Sequence, residues 1–174
     1  MNNNTQNKDA ELLQDIYSNV KMGSDSIINL LPKIKNDEMK TLMTSQLDEY
    51  EKYANNVKQQ LISQGVEPKE ANPISKLGAK IGMEMKSMQD STTSHMAEMM
   101  VQGSTMDVTD LLQKVSAYEN YPECKNSVAL AKEIVSFEEK NIEKMKQFLW
   151  KILYLLQNSI DRASKMLYNI IYTF

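Results

Sequence analysis

Residues 128–149, VALAKEIVSFEEKNIEKMKQFL, decide the fold. Val128, Ala131, Val135, Glu138, Ile142, Met145 and Leu149 recur in steps of three and four. That spacing puts them on one side of a helix with 3.6 residues per turn. Glu139, Lys140, Glu143 and Lys146 lie off this stripe and can pair as neighbours at helical spacing on a solvated face. A helix greasy on one side only has to bury that side against others, which predicts an antiparallel helical bundle. Glu138 breaks the rule, because a carboxylate stands in the middle of the apolar row.

The rest of the chain supplies the partners. Leu13, Ile16, Val20, Ile27 and Leu31 predict a first helix over residues 8–31, with Gly23 on its stripe as a place of close approach. Pro32 forces a turn over 32–36, and Asn36 or Asp37 is the expected N-cap of a second helix over 37–64. Its buried stripe is Met39, Met43, Leu47, Tyr50, Ala54, Val57 and Leu61, and Gly65 should end it in the left-handed conformation. So short a link makes the two helices antiparallel neighbours. Residues 65–72, with Pro68, read as a loop, and Pro73 opens a weaker segment over 74–85 in which Gly78 and Gly82 stand four apart. Met85, Met88, Thr92, His95, Met96, Met99 and Gly103 then share one face. Beyond Gly103 the apolar set becomes Val108, Leu111, Val115 and Tyr118, rotated by about 125° at 100° per residue. One straight helix cannot bury both sets against one partner, which predicts a break or kink near Gly103 and Ser104. Ser104 and Asp107 would then cap the new helix. The alternative is a continuous helix whose far end meets a different neighbour. A turn over 120–123 with Pro122 precedes the last bundle helix, expected to start at Glu123 or Cys124.

Residues 150–174 differ in character. Ile152, Leu156, Ile160, Ala163, Leu167, Ile170 and Phe174 keep a helical rhythm, and Lys151, Arg162 and Lys165 outnumber Asp161. Gln157, Asn158, Asp161 and Arg162 exclude a membrane span. This predicts an additional C-terminal amphipathic helix that packs on the bundle or on a partner, with binding to a membrane surface as the second choice. Residues 1–8 are polar and Asn-rich, which predicts a disordered start without a secretory leader.

Composition narrows the function. Only 5 Gly and 4 Pro interrupt 174 residues, and the 13 Met are read as adaptable core filling. A net charge of −3 argues against nucleic-acid binding. The single cysteine, Cys124, allows no internal disulfide and fits a reducing, cytoplasmic setting, where it reads as a small, partly buried hydrophobe. No phosphate-binding loop, dinucleotide fingerprint or Cys-x-x-Cys occurs. No catalytic residue is assigned, and the chain reads as a non-enzyme.

The run 93–106, TSHMAEMMVQGSTM, together with MGSDS at 22–26 and EEKNIE at 138–143, resembles a family of small bacterial ferritin-like proteins of low-GC Firmicutes, itself without an assigned function. The likeness spans residues 8–149 and leaves out the tail. It implies a ferritin-like four-helix bundle in which the first two helices form one hairpin and the last two another, with residues 65–85 carrying the chain from one end to the other. A di-metal centre of that fold needs a Glu from each of two helices and a Glu-x-x-His from each of the other two. His95 is the one histidine here, and Thr92 rather than Glu precedes it at that offset. Asn141 stands where a His would follow Glu138. The di-iron ligand set is therefore incomplete.

Two functional readings follow, and a third rests on the tail. The first is a non-enzymatic bundle acting through self-association, as a dimer, or with a protein partner, and holding no cofactor. The second is an atypical protein binding one Zn, Mn or Fe ion through His95, Glu98, Glu138 and Glu49. Against it stands the simpler view that His95 is a hydrogen-bonded core residue with Glu138 as its partner or as a flanking charge. The third is membrane-surface association through the C-terminal helix.

Overall fold

The structure, a computed structural model, describes residues 7–69 and 92–172, with side chains up to Leu149. All regular structure in these residues is helical. Helix α1 is Lys8–Leu30, α2 is Asp37–Ser63, α3 is Thr93–Tyr118 and α4 is Lys125–Tyr172. Short 3-10 turns at Leu31–Lys33 and Pro122–Cys124 close the two tight connections, each with a proline at its start. The calls for residues 1–6, the end of the 65–72 loop, the 74–85 segment with Gly78 and Gly82, and the start of the third helix at Met85 lie outside the described residues.

Local chemistry sets the helix ends. The Asn7, Asn36 and Thr92 side chains each accept a hydrogen bond from a backbone N–H three residues on, satisfying a donor the helix cannot. Gly65 follows α2 with φ +72°, where a residue without Cβ is at ease, and Val66 N–H bonds back to the Leu61 carbonyl.

Specific contacts fix the direction of each helix. The Asn7 amide donates to Gln64 at 2.7 Å, so the start of α1 meets the end of α2. Tyr118 OH donates to Glu11 at 3.2 Å and Lys114 pairs with Asp15 at 2.8 Å, so α3 runs antiparallel to α1. Tyr50 meets Glu138 and Tyr53 meets Glu133, so α2 runs antiparallel to α4. Ser127 Oγ meets Asp9 at 2.5 Å, so α4 starts beside the start of α1. The order of directions is up, down, down, up. α1 packs chiefly on α2, and α3 chiefly on α4. α2 ends and α3 begins at opposite ends of the bundle.

Much of the core is the set the stripes name, but Leu12, Leu30, Ile134 and Phe148 are buried off the stripes, and Leu31, Leu47, Val108, Tyr118, Ile142 and Leu149 on them are only partly buried. Leu13, Ile16, Val20, Ile27, Met39, Met43, Val57, Leu61, Met96 and Leu111 are fully buried. Cys124 is also fully buried, beyond the partial burial expected of it, and burial pushes its thiol pKa up.

Two expectations fail. α3 is one unbroken helix of 26 residues across Gly103 and Ser104. Its apolar rotation has a partner on each side: α4 along its length, and α1 beside Asp107, Lys114 and Tyr118 in its second half. Ser104 is a buried mid-helix residue, and the proposed Ser104–Asp107 cap does not form. The tail is not a separate helix either. α4 runs 48 residues without interruption through Trp150 to Tyr172, because no glycine or proline lies between Lys125 and Phe174 to stop it.

Candidate functional site: a polar layer inside the bundle

Each helix contributes polar residues to one level of the interior. α1 gives Asn19 and Ser24, α2 gives Gln46, α3 gives Ser104, and α4 gives Glu138 and Asn141. All six are buried, with Glu138 at 0% exposure. Tyr50, one turn from Gln46, reaches across from α2, and its hydroxyl donates to Glu138 Oε1. The Ser104 hydroxyl lies within hydrogen-bonding reach of both.

Tyr50 is held on two sides. Phe137 packs edge-on to its ring, with centroids 5.1 Å apart and planes at 84°. On the other side Gly23 leaves the gap, since a Cβ there would lie 2.6 Å from Tyr50 Cζ. The close approach expected at Gly23 therefore admits a side chain from α2, and only a residue without Cβ fits.

The electrostatics are those of buried acids. Burial pushes the Glu138 carboxyl pKa up, while the Tyr50 and Ser104 hydrogen bonds pull it partly back. Burial pushes the Tyr50 phenol well above its ordinary range, and the charge of Glu138 adds to the rise. Asp107, one turn past Ser104, is raised to about 8 by desolvation, then by Glu138 and Asp110, which carry its own sign of charge. Among the described residues, Glu138 Oε2, Asn19 Oδ1, Gln46 Nε2 and Asn141 Nδ2 are buried without a hydrogen-bond partner. Each such group costs about 1–3 kcal/mol, so the layer is a costly part of the core.

The sequence candidates for a metal do not converge. His95 sits on the first turn of α3, and its side chain is 38% exposed. Its Nδ1 lies 3.7 Å from Glu98, which is 58% exposed. The view of His95 as a core residue partnered by Glu138 is thus overturned, because Glu138 is taken by Tyr50. Ser104, which reaches Glu138, is nine residues further along α3, about 13 Å at 1.5 Å per residue. Glu49 lies on the rim of a groove of about 420 Å³ between α2 and α4 and pairs with Lys52 at 2.5 Å. Among the described residues no three of His, Cys, Asp and Glu come close enough to hold a metal ion.

These residues do not fit the di-metal centre of a ferritin-like fold. Glu138 and Asn141 hold the Glu-x-x-His offset, and both are buried, but an amide replaces the imidazole. A phenol occupies the position facing Glu138 on α2. The sequence marked Glu138 through its place in an apolar row. It gave no comparable signal for Asp107, whose perturbation comes first from burial and then from Glu138 on α4 and Asp110 on its own helix.

No protein-family model, curated protein or solved structure matches the chain.

Proposed function

We propose that the chain is a ferritin-like bundle whose metal level has become a polar packing layer, and that it acts by association and not by catalysis. The up, down, down, up order of the helices supports the ferritin-like reading. The observation that carries the proposal is the engagement of Glu138 by the Tyr50 hydroxyl, with Asn141 one turn on. A carboxylate closed off by a phenol and packed at 0% exposure is poorly placed to bridge cations. In this reading the protein is a cytoplasmic dimer or the partner of another protein.

The test is metal content. Protein purified without chelators should carry far less than one Fe, Mn or Zn per chain by plasma mass spectrometry. Adding each ion should leave the melting temperature in place. One tightly held ion per chain, lost together with thermal stability in Glu138→Gln, would replace this reading with a mononuclear site.

A further inference from the structure

The C-terminal half of α4 outruns the bundle. Tyr50 opposite Glu138 puts Asp37, the start of α2, level with Lys151. Asp9 beside Ser127 puts Leu30, the end of α1, level with Phe148. Glu119 beside Lys132, with Ser104 beside Glu138, puts Thr93, the start of α3, between Leu149 and Asn158. From Asn158 to Tyr172 no other described helix runs beside α4, a length of about 21 Å at 1.5 Å per residue.

This overhang carries a heptad register. With Leu153 as position a, the a and d positions are Leu153, Leu156, Ile160, Ala163, Leu167 and Ile170, without a polar member. The flanking e and g positions are Ile152, Gln157, Ser159, Ser164, Met166 and Ile171, none of them charged. Lys151, Asp161, Arg162 and Lys165 all fall at b, c or f. A copy of the helix laid on this seam meets no like charge.

The seam continues the bundle's own interface. At 100° per residue its mean direction lies within about 25° of the positions α4 buries in the bundle: Ser127, Val128, Leu130, Ala131, Ile134, Val135, Glu138, Asn141, Met145 and Phe148. One apolar face thus runs the length of α4. Its first half is covered by α1, α2 and α3, and from Asn158 on it lies beyond the described ends of all three.

We infer that this second half pairs with the same segment of a second copy, antiparallel, joining two bundles end to end about a two-fold axis. This rests on the association reading above and names the partner. The direction follows from sterics. In a parallel pair the second α4 would have to enter the space against the first half of the stripe, which α1, α2 and α3 already fill. In an antiparallel pair the second tail lies in line with the first bundle and stops at the level where α2 and α3 start. Pairing a with d then sets Leu153 opposite Ile170, Leu156 opposite Leu167 and Ile160 opposite Ala163, with the axis between Asp161 and Arg162. Eight large apolar residues at these positions bury roughly 60–120 Å² each, or roughly 500–1,000 Å² per chain, which brackets the ~800 Å² per partner of a standard interface.

The experiment uses the full chain. Light scattering should give twice the 20.0 kDa chain mass. Leu156→Lys with Leu167→Lys, which places lysines in two facing layers, should weaken the dimer at least ~100-fold with helicity retained, while Asn158→Lys at an outward f position should leave it intact. Under mild oxidation, Leu153→Cys mixed with Ile170→Cys should form a disulfide between unlike chains, and neither variant should do so alone. A monomeric wild type overturns the inference, whether the seam is covered by the chain's own residues or the protein floats with phosphatidylcholine–phosphatidylglycerol vesicles. A dimer that survives the double lysine variant overturns it, and so does Leu153→Cys cross-linking to itself. None of these results alters the metal content, so failure here leaves the metal test of the proposed function standing.

Discussion

Asp107 should make this protein lose stability as pH rises through the range in which most proteins are most stable. Its carboxyl has an ordinary pKa of 3.8 in the unfolded chain and about 8 in the bundle. An acid whose pKa rises on folding keeps its proton longer in the native state. Its contribution to stability is whole below 3.8 and is lost as pH climbs to about 8. Between pH 5 and pH 7 the native state holds one more proton than the unfolded state at this site. The slope there is about 1.36 kcal/mol per pH unit, or about 2.7 kcal/mol over the interval.

Asp107→Asn removes the titration and keeps the shape. Its stability relative to wild type should therefore improve by up to about 2.7 kcal/mol from pH 5 to pH 7. With a urea dependence of about 2 kcal/mol/M, the gap between the two unfolding midpoints should widen by about 1.3 M. Urea titrations of both proteins at pH 5, 6 and 7 by circular dichroism measure it. Curves that stay parallel across the range would show that Asp107 keeps a normal pKa, and that the desolvation and charge argument for the layer is wrong.

Gly23→Ala gains about 1 kcal/mol of helix propensity but drives a methyl group into the Tyr50 ring, so a net loss of about 1–2 kcal/mol is expected in urea unfolding. Tyr50→Phe removes the donor to Glu138 Oε1 and should cost about 1–3 kcal/mol. It should also raise the Glu138 pKa further, steepening the loss of stability with rising pH, which pH-dependent unfolding detects. Asn36→Ala removes the cap bond to Met39 N–H at 2.8 Å and should cost about 1 kcal/mol, with fraying of the start of α2 visible in hydrogen exchange.

The helices could be read from the sequence because a surface helix writes its burial into its own spacing. Asn36, Gly65 and Pro122 punctuate the chain by local chemistry, and each sits where that chemistry places it. Glu138 was legible for the same reason, as a charge in a row that had to be buried. The break expected near Gly103 failed because periodicity reports which face is buried without counting the neighbours that bury it. α3 has two, and a helix between two partners can shift its stripe without breaking. Tyr50 was legible only as one more buried residue of α2. Its bond to Glu138, and the notch at Gly23 that admits its ring, join residues far apart in the chain, which no local spacing encodes. The metal candidate His95 was chosen by residue type, and type alone could not tell the first turn of α3 from its centre.

A layer this costly calls for a reason, and the packing offers one. Apolar stripes specify which faces meet but only weakly how far one helix slides along another. The Tyr50 hydroxyl has one partner on α4, and its ring has one gap on α1, at Gly23. Sliding α2 by one turn, about 5.4 Å, would break the hydrogen bond and press the ring against a residue with a Cβ. On this hypothesis the layer sets register at the expense of stability, as buried polar groups do in some coiled coils. The double variant Tyr50→Phe, Glu138→Leu tests it, since replacing a buried polar pair by apolar groups of similar size can be neutral or stabilising. It should unfold at the same urea concentration as wild type or higher. It should also lose definition, with weaker near-ultraviolet dichroism from its tyrosines and extra or broadened amide resonances from α1 and α2. A variant as well ordered as wild type, with one set of sharp resonances, would show that the apolar stripes set the register unaided.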